Sequence, residues 1–484
     1  MRLPHDGVAG RDMSRLVAVS NRVTVPRRAV TPGGLALGVH AAMQARGGFW
    51  FGWSGEIADR EPDVARVVTR DRITYGTVEL TQADHDQYYL GFCNGAIWPL
   101  FHYFLDAVHY HDEQYEAYLR VNRTYARQLS PHLEPDDLIW VHDYHLMPLA
   151  QELRVLGAQQ PIGFFLHIPF PHVEALRALP VYGELMRALI DFDLIAFQTE
   201  RDLDCFRSAV VDVWGAEALA RDGSVVACGR RTWLEHIPIG VDVDAIQKAA
   251  VAAQSSEAVQ RMVSGLVGRR CVIGVDRLDY SKGLVERFDA YARFLEAYPE
   301  NQNRVTFLQI APLSRSDVRA YGQIRRALEQ AAGRTNGKYA DTDWTPIRYL
   351  NRNYPHPSVL GFMRASQLGL VTPLRDGMNL VAKEFVAAQD PDDPGVLVLS
   401  TLAGAARELT GALLVNPKDT GGVARAIQQG LQMRLPERRD RHQQMLEVLR
   451  RNDITAWHTR FVDRLQATRR PDSPLRMAKA VNAE

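Results

Sequence analysis

Short apolar, β-branched runs alternate with longer stretches of helical periodicity from one end of the chain to the other, and few folds accept that rhythm. Strands are expected at Arg15–Ser20, Asp137–His142, Pro161–His167, Asp193–Gln198, Arg270–Val275, Arg304–Ala311, Leu368–Thr372 and Gly395–Ser400. Several, such as the LIAF and VLVL runs, are apolar throughout, the pattern of parallel strands covered by helices on both faces. Helical segments at Tyr144–Leu156, Glu200–Val213, Leu284–Tyr298, Asp317–Ala332 and Val423–Met433 are long enough to serve as crossovers between parallel strands. The pattern predicts a doubly wound α/β architecture, and the strand count suits two sheets better than one.

At 484 residues the chain has room for two or three cores. The Pro, Gly and acidic residues of His236–Asp244 mark a hinge near its middle. The expected division is a leader over residues 1–12, a first domain over 13–240, a second over 241–452, a helix over 453–469 and a tail over 470–484. Ile454, Trp457, Phe461, Val462 and Leu465 give that last helix an apolar face, which the first domain is expected to receive.

Composition narrows the function classes. With 57 basic and 57 acidic residues the chain carries no net charge, so no global field draws nucleic acid or an anionic membrane. Its longest stretch free of both charge and strong polarity, around Gly395–Ala406, is about a dozen residues, short of the ~20 a spanning helix needs. Residues 1–12 lack the apolar core of a secretory signal, so a cytoplasmic protein is expected. The four cysteines form no CxxC pair and read as small buried hydrophobes.

Chemistry-bearing residues gather where predicted strands end. Ser20-Asn21-Arg22 closes the first strand, and Gly33-Gly34 precede a helix, where backbone N–H groups can approach a phosphate. The spacing there is GGxxxG rather than the GxGxxG of a nicotinamide dinucleotide site, and a plain loop turn is the alternative. Arg277 and Lys282, on the loop after Arg270–Val275, supply two charges suited to a diphosphate, or else a solvated surface pair. After Leu368–Thr372, Asp376 can accept from sugar hydroxyls, Gly377 permits a tight turn, a helix opens near Asn379, and Glu384 can hold a ribose diol. His142, Asp143, His145 and His167 invite a metal, yet no further ligand stands at a familiar spacing, and core or capping histidines explain them equally. Tyr88, Tyr89, Trp50, Trp53 and Trp98 can stack on sugars, although core filling explains most of them. Arg315 follows another strand and can meet a phosphate or simply lie exposed at a helix start.

The motifs SNR, GGL, WFGWSGE, YY…AIWPLFHY, IWVHDYHL, GFFLHIPFP, DRLDYSKG, IAP-x-SR-x-DV, NGKY, WTP and TPLRDGMNLVAKE run in order from about residue 15 to 465. Together they resemble the trehalose-6-phosphate synthases of glycosyltransferase family 20. The resemblance implies a GT-B fold, two Rossmann-like domains facing across a cleft. It also implies metal-independent, retaining transfer of glucose from UDP-glucose to glucose 6-phosphate, with no cofactor and a homo-oligomeric state, dimer or tetramer. Carried over by position, Arg22, Tyr89, Trp98, Asp143 and Arg315 match the acceptor contacts, with Arg22 and Arg315 on the phosphate and Trp98 tied to anomer selection. Gly33, Gly34, Arg277, Lys282, Tyr354, Asp376, Gly377, Met378, Asn379, Leu380, Val381 and Glu384 match the donor site, and Arg277, Lys282 and His167 the catalytic set. Tyr354 stands where the family commonly has Phe, at a main-chain contact to uracil. A related transferase with another acceptor, a silent sugar-phosphate sensor and a pyridoxal-phosphate phosphorylase are the competing readings.

Overall fold

The computed structural model describes residues 14–23, 25, 35–60, 64–313 and 319–469. The leader over 1–12, the tail over 470–484, Gly33, Gly34 and Arg315 lie outside the described residues. The first sheet holds β1 (Leu16–Arg22), β2 (Gly48–Ala58), β3 (Arg66–Arg70), β4 (Ile73–Thr81), β5 (Leu138–His142), β6 (Ile162–Phe165), β7 (Leu194–Phe197), β8 (Val225–Ala227) and β9 (Arg230–His236). Its order is β3-β4-β2-β1-β5-β6-β7-β9-β8, parallel except at the two edges, where β3 and β8 run antiparallel. The second holds β10 (Arg270–Val275), β11 (Val305–Ile310), β12 (Ile347–Leu350), β13 (Leu368–Val371), β14 (Val396–Ser400) and β15 (Leu413–Val415). It is all parallel, in the order β12-β11-β10-β13-β14-β15. In both, the strands that begin each half (β1 and β10) sit centrally, so their C-terminal ends open at the crevice where α/β sheets bind ligands.

Every residue of β5, β6, β7, β11, β13 and β14 is buried, the physical reason their sequences are apolar without alternation. β2 and β4 carry the aromatics Trp50, Trp53 and Tyr75 into the core, and Trp50 donates to Ser20 Oγ at 2.9 Å. The expected helix Tyr144–Leu156 is two pieces, a single 3₁₀ turn at Tyr144–Leu146 and an α-helix at Leu149–Val155, because Pro148 cannot continue a helix from the turn before it. The helix expected to end at Ala332 runs on to Tyr339. Three cysteines are buried as expected, but Cys228 is exposed in the tight turn between β8 and β9, at φ 51°.

Two segments cross between the sheets, one after β9 and one before the C-terminal helix Ile454–Ala467, and they touch. Ile454 N donates to Val241 O at 3.3 Å, and any Cβ at Gly240 would overlap the carbonyl of Asn452. Lys383, wholly buried, pins the pair: Nζ donates to Ile239 O at 2.7 Å and to Glu408 at 2.5 Å, while Asn452 donates to the other Glu408 oxygen at 3.0 Å. Burial pulls the Lys383 ammonium below its ordinary range, and Glu408 opposes that shift. The helix Ile454–Ala467 then returns to the first sheet, with Phe461 stacked on Trp140 at 4.5 Å and set against Gly163.

Candidate active site

On the first-sheet side, β1 delivers Arg22, whose guanidinium lies 5.6 Å from the Trp53 ring centre. Gly55, at φ 91°, is needed there, since a side chain would collide with that guanidinium. A run of rings then leads across the cleft: Trp53 to Tyr89 at 5.8 Å, Tyr89 stacked on His145 at 5.9 Å, and His145 against Tyr144 at 3.9 Å. Tyr144 meets Trp98 at 5.7 Å, and Arg277 of the second half stands 5.9 Å from the Trp98 ring. Residues expected on acceptor and donor thus share one continuous wall. Tyr89 and Trp98 arrive on a wide-turned π-helix at His85–Ile97 and the α-helical turn that follows it, features common at functional sites and invisible to 3.6-residue periodicity.

β5 ends in His142 and Asp143. Asp143 holds φ 75° and ψ 166°, a conformation that costs a non-glycine residue about 1–3 kcal/mol and that points to function. Its Oδ1 accepts from the backbone N–H of His167 at 3.2 Å, joining the ends of β5 and β6. His142 Nδ1 and His167 Nε2 are 3.1 Å apart, and burial drives both imidazoles toward the neutral form, His167 down to about 3. His102 Nδ1 lies 2.7 Å from Trp98 O and is pushed down to about 4, again by burial. No group of three or more His, Cys, Asp or Glu is arranged to hold a metal among the described residues.

On the second-sheet side the groups are charged. Lys282 donates to Asp376 at 2.5 Å and Asn379 donates to the same oxygen at 2.9 Å. Burial alone would raise the Asp376 carboxyl, but Lys282 and Asn379 outweigh it and hold it below the ordinary range. Beneath this pair Arg287 is fully buried, bound to Asp276 at 2.5 Å, Gln309 at 2.9 Å and Thr372 at 2.9 Å, so the loop carrying Arg277 and Lys282 rests on a satisfied polar network. Asn379, at φ 79°, caps the helix Leu380–Ala388 by accepting from Ala382 N at 3.1 Å, which aims the helix's first N–H groups at the cleft. Glu384 pairs with His356 at 3.0 Å, and that contact raises the imidazole's pKa. Tyr354, two residues before His356, packs edge-on against Phe362 at 5.3 Å.

The two sides meet at Gly377. A Cβ there would overlap the carbonyl oxygen of His167, and one at Gly404 would overlap the carbonyl of Gly377, so only glycines allow this approach. Tyr280 and Phe104 add an edge-on aromatic contact across the cleft at 4.9 Å. The structure therefore brings together Arg22, Tyr89, Trp98, Asp143 and His167 with Arg277, Lys282, Asp376 to Val381 and Glu384. Sequence reasoning singled out His142 at the strand end with Asp143, but missed His102, His356 and Arg287.

Two facing sheets, parallel but for the edge strands β3 and β8, with cationic and aromatic groups at their strand ends define a GT-B transferase. The chain belongs to glycosyltransferase family 20, whose model matches residues 16–467. It is 49% identical over 468 residues to the trehalose-6-phosphate synthase of Cronobacter sakazakii, covering 96% of this chain and 97% of that one. Among solved structures it resembles the UDP-forming α,α-trehalose-phosphate synthase of Burkholderia xenovorans in complex with glucose-6-phosphate, at TM-score 0.90 and 47% identity, covering 94% and 100% of the two chains. The Escherichia coli protein bound with UDP-2-fluoro glucose matches at TM-score 0.89 and 47% identity, covering 93% and 99%.

Proposed function

We propose that this chain transfers glucose from UDP-glucose to glucose 6-phosphate with retention, releasing UDP and α,α-trehalose 6-phosphate. The observation that carries the reading is the meeting at Gly377, which sets the ion-paired Lys282–Asp376 loop directly against His167 and Asp143. Donor and acceptor sites so placed share one reacting centre.

Charge builds on the diphosphate as the anomeric C–O bond breaks, and fixed cations lower the barrier by stabilising it. Arg277, Lys282 and the helix start after Gly377 take that role, with Met378 to Val381 lending backbone N–H groups. Asp376 is committed to Lys282 and Asn379, which makes it a poor nucleophile and suits it to orient the sugar. The electron pair leaves with UDP, the anomeric oxygen of glucose 6-phosphate bonds the same face of the sugar carbon, and its proton passes to the departing phosphate oxygen. No carboxylate pair of the hydrolase kind is required. His167, neutral at working pH, holds the donor sugar by hydrogen bonding rather than by proton transfer. Glu384 holds the ribose, and Tyr354 presents its main chain to the uracil. Arg22, Tyr89, Trp98, Asp143 and, beyond the described residues, Gly33, Gly34 and Arg315 complete the substrate contacts. With two cations on the diphosphate, the reaction runs without a resident metal, and a chelator should leave turnover intact. The crossovers pinned by Lys383 form the hinge on which the cleft closes to exclude water.

The reading further takes the protein as a cytoplasmic homo-oligomer. No described helix is long and apolar enough to cross a membrane. The test mixes purified protein with UDP-, ADP- and GDP-glucose in turn, with and without glucose 6-phosphate. Nucleotide release that requires glucose 6-phosphate and yields a non-reducing disaccharide phosphate supports the proposal and names the donor. Absence of release with every donor removes it.

A further inference from the structure

Behind Gly377, at the rear of the cleft beside the crossovers, lies a cavity of about 640 Å³ bordered by both halves of the chain. Thr199 and Arg201 form one wall and Met378, Gly404 and Arg407 the other. A narrow extension joins it, lined by Arg201 and Arg407 again and by Arg375. The three guanidiniums lack any hydrogen-bond or carboxylate partner among the described residues. Arg375 stands 4.6 Å from the Tyr103 ring; burial and the nearby Arg201 charge disfavour its cation, and Tyr103 and Asp202 favour it without reversing that shift.

One acid, Asp202, borders the extension and its charge favours the Arg375 cation, and the other acids are held elsewhere. Asp202 accepts from Thr199 at 2.5 Å and from Phe170 N at 3.0 Å, Asp376 is held by Lys282, and Glu408 is held by Lys383 and Asn452. Asp204 faces solvent beside Arg207, and Glu200, its side chain 83% exposed, stands 3.9 Å from His236. Three guanidiniums against the one carboxylate of Asp202 leave an excess of positive charge, whose repulsion an anion would cancel. The helix Glu200–Trp214 starts at the same wall and adds its dipole in the same sense. Planar, fork-shaped donors suit the oxygens of a tetrahedral dianion, and the cavity that Arg201 and Arg407 line has the volume of a small-molecule site, while the extension they share with Arg375 is about 30 Å³.

We propose that this rear cavity is a second, non-catalytic site for a dianion of the phosphate-monoester class, held between the two halves by Arg201, Arg375 and Arg407. Its occupant rests in the cavity on Arg201 from one domain and Arg407 from the other, with Arg375 adding its charge from the adjoining extension, so it favours one relative placement of the two. Arg375 also precedes Asp376 in the chain, which couples the site directly to the donor loop.

The test is calorimetric titration of the full-length protein with inorganic phosphate and, separately, glycerol 2-phosphate, in saturating UDP, with each probe also titrated into an Arg22→Ala protein so that binding at the acceptor phosphate position is told apart. The comparison is the double variant R201A/R407A, two exposed positions whose replacement leaves the core and unstimulated turnover unchanged. One bound anion per chain, weakened at least about tenfold in the variant, is the expected result. Tighter binding of the ester identifies a phosphorylated metabolite as the occupant, and tighter binding of phosphate identifies the free ion. Equal affinity in the two proteins, or no heat with either probe, overturns the proposal. Arginine-dependent binding in a protein that turns over no substrate would keep this inference and remove the function proposed above.

Discussion

The two walls of the cleft solve different problems with different chemistry. The first-sheet wall is aromatic, with Arg22 at one end and neutral imidazoles within: His102, His142 and His167 are buried, pushed far toward the uncharged form, and set among Trp98, Tyr144 and Trp140. The second-sheet wall is ionic: Lys282–Asp376, Arg287–Asp276 and His356–Glu384 are all paired within about 3 Å by geometry suited to charge-assisted bonds. The difference teaches a division of labour. On the function proposed above, rings and neutral imidazoles orient a sugar without competing for protons, while the paired charges stand where the diphosphate departs.

The sharpest way to break that comparison is to remove a charge from the ionic wall. Lys282→Ala deprives the leaving group of a cation and strands Asp376, and kcat at saturating donor should fall about 10²–10³-fold. An unchanged kcat would refute the assignment of Lys282 to the diphosphate. Next in size is the hinge: Lys383→Met leaves Glu408 without its cation, at a cost of about 3 kcal/mol in unfolding free energy measured by denaturant titration. Loss of less than a third of that would mean the crossovers are held by packing alone.

The walls should also part company with pH. Histidines buried in neutral form take up protons on unfolding, so their contribution is lost as pH falls below the ordinary histidine value of about 6.5. His356 has the opposite sign: its pKa is raised by Glu384, so its contribution is complete below about 6.5 and fades as pH rises through the folded value. Melting temperature followed from pH 5 to 8 should therefore gain less at low pH in His356→Gln than in the parent. Identical curves would dissolve the pair's role. The smallest effect belongs to Tyr354→Phe, whose hydroxyl makes no hydrogen bond among the described residues. Donor KM should stay within about twofold.

The strand ends were legible in the sequence because buried parallel strands must be apolar, and LIAF and VLVL leave little choice. β2 and β4 were not, since glycines and aromatics interrupt their runs and the same aromatics read equally as sugar platforms. Trp50 and Trp53 resolve that ambiguity differently: Trp50 is core, bonded to Ser20, while Trp53 is core on one side and faces Arg22 on the other. At the site, residue types were legible and partnerships were not. Lys282 and Asp376 lie 94 residues apart, and His142 and His167 lie 25 apart, so only the fold brings them together. The strained backbone of Asp143 left no trace either, because aspartate is common at ordinary strand ends and nothing in its neighbours demands a positive φ.

The central claim is tested most directly by running Lys282→Ala and Asp143→Ala side by side in steady-state kinetics with both substrates varied. The division of labour predicts that Lys282→Ala lowers kcat with the KM for glucose 6-phosphate unchanged, whereas Asp143→Ala raises that KM by about tenfold or more. If both variants changed the same constant by the same factor, the two walls would not be doing separate work, and the account would be wrong.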